Sequence, residues 1–121
     1  MSPKITIPTL AAEFRHVLET HRTLAPEDQP AWRLRPVTWP DRAALFDEFG
    51  ERYLSACVAV VARCLLGVEQ LLDAEGQPVQ VGEPGTPARE AFMRQLPSIW
   101  GDELASAIWS ASKLPEGAEK N

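Results

Sequence analysis

The stretch from Arg52 to Val68 is the only part of this chain that is apolar almost all the way round. Its Val-rich middle suits a strand, but the run exceeds ordinary strand length and carries helical spacing, so length decides for a helix over 52–68. On a 3.6-residue turn, Leu54, Cys57, Val58, Val61, Cys64, Leu65 and Val68 share one face. Ser55, Ala56, Ala59 and Ala62 on the other side are small enough for a second element to approach closely. A helix apolar on every side is a buried one, so the remaining elements are expected to cover this segment. It is short for a bilayer, and Arg63 interrupts it.

Both cysteines, Cys57 and Cys64, fall in this segment. Seven residues of helix separate them by roughly 10 Å along the axis, too far for a disulfide. They are expected to be buried thiols acting as small hydrophobes.

A chain of 121 residues has room for one modest core. The expected organisation is a single domain over 1–114 with a flexible tail at 115–121. A formal charge of −5 and the lack of any basic block argue against broad nucleic-acid binding, which needs many phosphate-neutralising cations on one surface. The first ten residues lack the apolar core of a secretory signal, and Pro3 and Pro8 interrupt them, so a cytoplasmic protein is expected.

Residues 1–12 read as an extended arm. From Glu13 to Arg22 two patterns compete: Leu10, Ala11, Phe14, Val17, Leu18 and His21 make a helical stripe, whereas Phe14, His16, Leu18 and Thr20 alternate as in a strand. Local pattern slightly favours the helix. Ala31 to Arg35 reads as a strand with Trp32 and Leu34 on one face and Arg33 and Arg35 on the other, and Pro36 limits it to a strand end or a sheet edge. If the 14–20 segment is extended, the two form a hairpin with a long loop, which needs helices or another chain to pack against.

Thr38-Trp-Pro-Asp41 is a helix start: Thr38 caps, Pro40 loses no hydrogen bond in the first turn, and Asp41 completes a capping box. That helix should turn Leu45, Phe46 and Phe49 inward and Asp47, Glu48 and Glu51 outward, with Gly50 bending or ending it. Residues 69–85 form a loop with a tight turn at Glu75-Gly76 and little to bury. Thr86-Pro87 opens a short helix carrying Ala88, Ala91, Phe92 and Leu96 inward before Pro97. Ser98 caps the last helix, which runs to about Lys113 with Trp100, Leu104, Ala107, Ile108 and Ala111 on one side. Trp109 lies off that stripe, as a packing wedge or an exposed anchor.

Catalytic material is poor. His16 and His21 sit in the ambiguous segment and the cysteines in a helix expected to be dry, so no nucleophile is placed beside an oriented base. Cys57 and Cys64 cannot reach one zinc ion, and no phosphate-cradling glycine loop, dinucleotide fingerprint or EF-hand spacing is present. No catalytic, cofactor or metal residues are assigned. The acids of the 38–51 helix read as a solvated face. Four tryptophans are many for a chain of this length, and tryptophan is enriched where proteins meet. Trp32, Trp39 and Trp109, with the Arg33 and Arg35 pair, are therefore the candidate partner-binding residues.

The order of features carries a resemblance. Val17-Leu-Glu-Thr-His-Arg-Thr-Leu-Ala-Pro-Glu-Asp-Gln-Pro30, then Trp32-Arg-Leu-Arg-Pro-Val-Thr-Trp39, an acidic helix, an apolar helix ending in Leu-Leu-Gly-Val68, a loop and a closing helix resembles the tail assembly chaperones of long-tailed phages and prophages. The ending Glu119-Lys-Asn121 is similar to endings in that group. The resemblance implies a self-associating protein without cofactor that coats the tape-measure protein and hands it to the major tail protein. It also implies that residues 13–20 are extended. The alternatives are a tail completion or connector protein that stays in the virion, a small host-directed regulator binding one protein target, and, remotely, a metal-free hydrolase. The expected fold is α+β, mostly α: a two-stranded N-terminal element, then four helices around 52–68.

Overall fold

The computed structural model describes residues 12–112; the expected tail at 115–121, and almost all of the expected arm, lie outside them. The chain is α+β and mostly helical, with three antiparallel strands and four helices. Strand β1 (Phe14–His16) and strand β2 (Ala31–Leu34) form the hairpin with a long loop, Phe14 opposite Leu34 and His16 opposite Trp32. Two short 3-10 turns, Glu19–His21 and Pro26–Asp28, occupy the loop. The competition over residues 13–20 thus resolves into three residues of strand followed by a turn.

Thr38 opens helix α1 (Trp39–Phe49) with the full capping box, its hydroxyl accepting from the Asp41 amide while the Asp41 carboxylate accepts from the Thr38 amide. Gly50, at φ +56°, ends α1 and lets helix α2 (Tyr53–Cys64) fold back against it.

The helix expected over 52–68 stops at Cys64. Leu65 is extended and begins strand β3 (Leu65–Glu69), which pairs antiparallel with β2 and makes the sheet order β1-β2-β3. The sheet therefore has three strands instead of two; β2 is its centre, and Pro36 takes, of the two places open to it, the one just past a strand end. Leu65 is buried opposite Leu34 on the core face; the register then shifts by a residue at Leu66, so that Val68 lies opposite Trp32 and Gly67 falls on the outer face. Gly67 lies opposite Arg33, whose guanidinium fills the space that a side chain there would take.

Helix α2 is also less enclosed than its composition implies. Cys57, Val60, Val61 and Cys64 are buried, but Leu54 and Val58 on its flank are exposed. Apolarity on every side did not require burial on every side, because helix α3 (Pro87–Gln95) and helix α4 (Ser98–Ala111) are too few to surround it. In α1, Leu45 is buried and Phe49 packs on the core, whereas Phe46 is exposed. Pro97, not Ser98, is the N-cap of α4, and the cap makes no side-chain hydrogen bond. Leu104 and Ile108 are buried as the stripe requires, and Ala105 beside them is buried too.

In α3 the expected inward residues Ala88 and Ala91 are exposed, and the one fully buried side chain is Arg89. The 69–85 loop contributes Val81 to the core, with Leu71 and Val79 packed against it.

Candidate functional site

Trp32, placed above among the partner-binding candidates, is 0% exposed. Its face of β2 turns onto the core, where its ring meets Phe92 and the edge of Trp100. A wholly enclosed side chain offers nothing to a partner, so Trp32 is a core residue.

Arg33 does emerge on the opposite face of β2 and Arg35 follows just past its end, and both have partners within the chain. Arg33 reaches Glu13 at 3.5 Å and Glu69 at 4.0 Å, and Arg15 beside it reaches Glu69 at 3.0 Å. The sheet's outer face is thus a ladder of alternating charge, in which Glu69 relieves the like-charge pairing of Arg15 with Arg33.

Arg35 leaves the sheet toward α1 and donates to Asp41 at 2.7 Å, while Arg63 from α2 reaches the other oxygen of Asp41 at 3.2 Å. Burial pushes the Asp41 carboxyl up, but hydrogen bonds from Arg35, Thr38 and Arg63 outweigh it and hold the group well below the usual carboxylate range. Asp41 is therefore not part of a solvated acidic face. It is the knot joining β2, α1 and α2.

Helix α4 is fixed at both ends. Near its start, the Glu103 carboxylate takes hydrogen bonds from His16 and from the Glu19 amide, so both His16 and Glu103 are consumed in holding β1. At its end, the Ser112 hydroxyl accepts from the Val37 amide and donates to the Ile108 carbonyl, both at 2.7 Å.

Between α1 and α4, over the first turns of α2, runs an open groove of about 930 Å³. Val37, Leu45 and Ala56 line its apolar depth, Ser106 and Ser110 form a low wall on α4, and aromatic rings stand along it: Trp39 and Phe46 from α1, Tyr53 from α2 and Trp109 from α4. Trp39 is 82% exposed, Tyr53 69% and Phe46 56%. Trp109 is half-buried, packing against the core while also lining the groove. The structure brings Trp39 and Trp109 together and keeps Trp32, Arg33 and Arg35 away. Phe46 and Tyr53 complete the site; Phe46 was expected inside, and the signal for it was the seven-residue spacing from Trp39 that puts both on one helix face.

Chemically the groove is suited to packing. Its titratable lining is Arg42, Glu51 and Tyr53. The Arg42 guanidinium is stacked 5.6 Å from the centre of the Phe46 ring, a cation–π contact that keeps it at the rim. Among the described residues no three His, Cys, Asp or Glu side chains converge on a common point, and no helix is long and apolar enough to cross a membrane. Burial pushes the Cys64 thiol up to about 11, in keeping with a thiol that packs. Comparison with protein families, curated proteins and solved structures finds no match to this chain.

Proposed function

We propose that this protein is a non-enzymatic tail assembly chaperone of a long-tailed phage or prophage. In this reading it works in the host cytoplasm, self-associates, needs no cofactor, and holds the tape-measure protein until the major tail protein polymerises around it. The observation that carries the reading is the row of exposed rings at Trp39, Phe46 and Tyr53 along a groove with an apolar floor. Exposed aromatic surface of this kind is costly for a protein that acts alone and is what a holdase offers to a client's apolar face. Binding an unassembled client lowers the free concentration from which it aggregates. The order of elements along the chain, as in the resemblance described above, adds the identity of the client.

Co-expression tests this. The tape-measure protein should become soluble with the wild-type chain and stay insoluble with Trp39→Ala/Phe46→Ala, while the purified variant keeps its helical circular dichroism. Purified phage particles should lack the protein; a stoichiometric amount in the virion would instead make it a completion or connector component.

A further inference from the structure

The sheet ends in two edges that differ in kind. Strand β3 begins at a carbonyl taken by Arg89, slips register by a residue along β2 and ends at Gln70, where φ is +61°. An edge bulged and turned in this way is a poor template for another strand. Strand β1 is regular and pairs with β2 without a shift. Alternate residues of an antiparallel strand direct their N–H and C=O to opposite sides, so β1 still presents backbone groups away from β2. Among the described residues no hydrogen bond reaches them, and the bond from His16 to Glu103 is made by the ring.

The side chains along that edge complement themselves. Glu13 and Arg15 lie on the outer face of the sheet, and Phe14 between them packs on the core from the inner face. When a second β1 is laid antiparallel about a two-fold axis at Phe14, Glu13 falls opposite the partner's Arg15 and Arg15 opposite the partner's Glu13. The two Phe14 rings meet on the inner face, and His16 lies opposite the partner's Ala12, small enough to leave the bond to Glu103 in place. The neighbouring registers fail. An axis at Arg15 sets Arg15 against itself, one at Glu13 sets Glu13 against itself, and a slip of one residue turns the core face of one copy to the solvent face of the other. Arg15 and Glu13 have partners inside the chain, Glu69 and Arg33, but both side chains stay about half exposed or more, so each can bridge two.

We propose that two copies of this chain pair through β1, in the register centred on Phe14, to make one continuous antiparallel sheet. The dimer takes up the self-association of the function proposed above and gives it a surface, on evidence that does not involve the client. A strand this short makes a small interface, so the dimer should be reversible and concentration-dependent.

Sedimentation equilibrium of the full chain tests this. The wild type should pass from monomer to dimer with rising concentration, and amide hydrogen exchange at Phe14 to His16 should slow in step. Glu13→Arg and Arg15→Glu each set like charges opposite one another twice, and each should weaken the dimer at least about tenfold. Mixed together, the two variants should associate with each other, because every clash in either homodimer becomes an opposite pair in the heterodimer. Their urea midpoints should stay close to wild type, since the ion pairs they lose are exposed. A wild type that is monomeric at millimolar concentration, exchange at β1 indifferent to concentration, a dimer that survives both charge reversals, or folded variants that ignore each other on mixing would each overturn the inference. The two proposals fail separately. A monomeric chain that keeps tape-measure protein soluble sinks the paired edge but leaves the chaperone, whereas a dimer through β1 beside an insoluble tape-measure protein does the reverse.

Discussion

Arg89 donates from its Nη2 to the carbonyl of Leu65 at 2.7 Å, clamping α3 to the residue at which α2 turns into β3. The same guanidinium donates to the carbonyls of Ala62 at 2.6 Å, Val81 at 2.8 Å and Gly82 at 2.7 Å, and the residue is 2% exposed. No carboxylate pairs with it among the described residues; burial lowers its pKa and Glu83 opposes the shift. What compensates the buried cation is the end of α2, where orphaned carbonyls and the negative end of the dipole converge. Replacing it by Met leaves four carbonyls without that donor, and Arg89→Met should cost about 3–5 kcal/mol. Arg89→Lys, lacking the planar fork, should recover only part of this. Urea denaturation midpoints measure both.

Asp41 makes stability fall in acid. Its folded pKa is depressed, so its contribution is complete above the unfolded value near 3.9 and is lost as pH drops through the lower folded value. Asp41→Asn should cost about 2 kcal/mol at pH 7, where charged hydrogen bonds from Arg35 and Arg63 are lost. The gap between wild type and variant should narrow steadily below about pH 4. A gap that stays constant down to pH 2.5 in urea titrations would refute the assignment.

The tryptophans should separate cleanly. Trp32→Ala empties a fully enclosed site and should cost about 3–5 kcal/mol, whereas Trp39→Ala should change stability by less than about 0.5 kcal/mol. Acrylamide quenching should report the same contrast, losing its most accessible component with Trp39→Phe.

Two glycines offer a matched pair. A methyl group at Gly82 would lie 2.5 Å from the Arg89 amide nitrogen, on a backbone at φ +71°, so nothing yields and Gly82→Ala should cost about 2–3 kcal/mol. At Gly67 the obstacle is the tip of the Arg33 side chain at 2.6 Å, which can swing toward solvent. Gly67→Ala should cost about 1 kcal/mol or less. Thermal melts of the two variants check the order.

The features legible in the sequence were those set by neighbouring residues. Thr38 and Asp41 form their capping box because three residues of spacing contain the whole interaction, and Trp32 and Leu34 share a face because a strand alternates. The end of α2 was not legible. Leu65-Leu-Gly-Val68 satisfies the helical stripe of the residues before it, and becomes a strand because β2 and Arg89, distant in sequence, supply the competing bonds. Arg89 itself stood in plain view as the first member of an Arg89, Phe92, Met93, Leu96 stripe, but Ala88 and Ala91 beside it complete an apolar stripe with Phe92 and Leu96 that leaves the arginine outside. For the groove, aromatic content announced a binding surface without saying which rings the core would take. Phe92 and Trp100 enclose Trp32, whereas no element among the described residues covers the Trp39 side of α1.

The placement of Arg89 also orders events during synthesis. Strand β3 must close over the whole of α1 and α2 to reach β2, and the guanidinium that secures its first residue lies 24 positions further along. A nascent chain that has emerged only as far as Glu69 has every strand of its sheet but not the clamp on the corner. Contacts of such sequence separation form late. The sheet that begins near the N-terminus is therefore among the last parts of the molecule to be made secure, and a translational pause before residue 89 would hold the chain with its α2–β3 corner open.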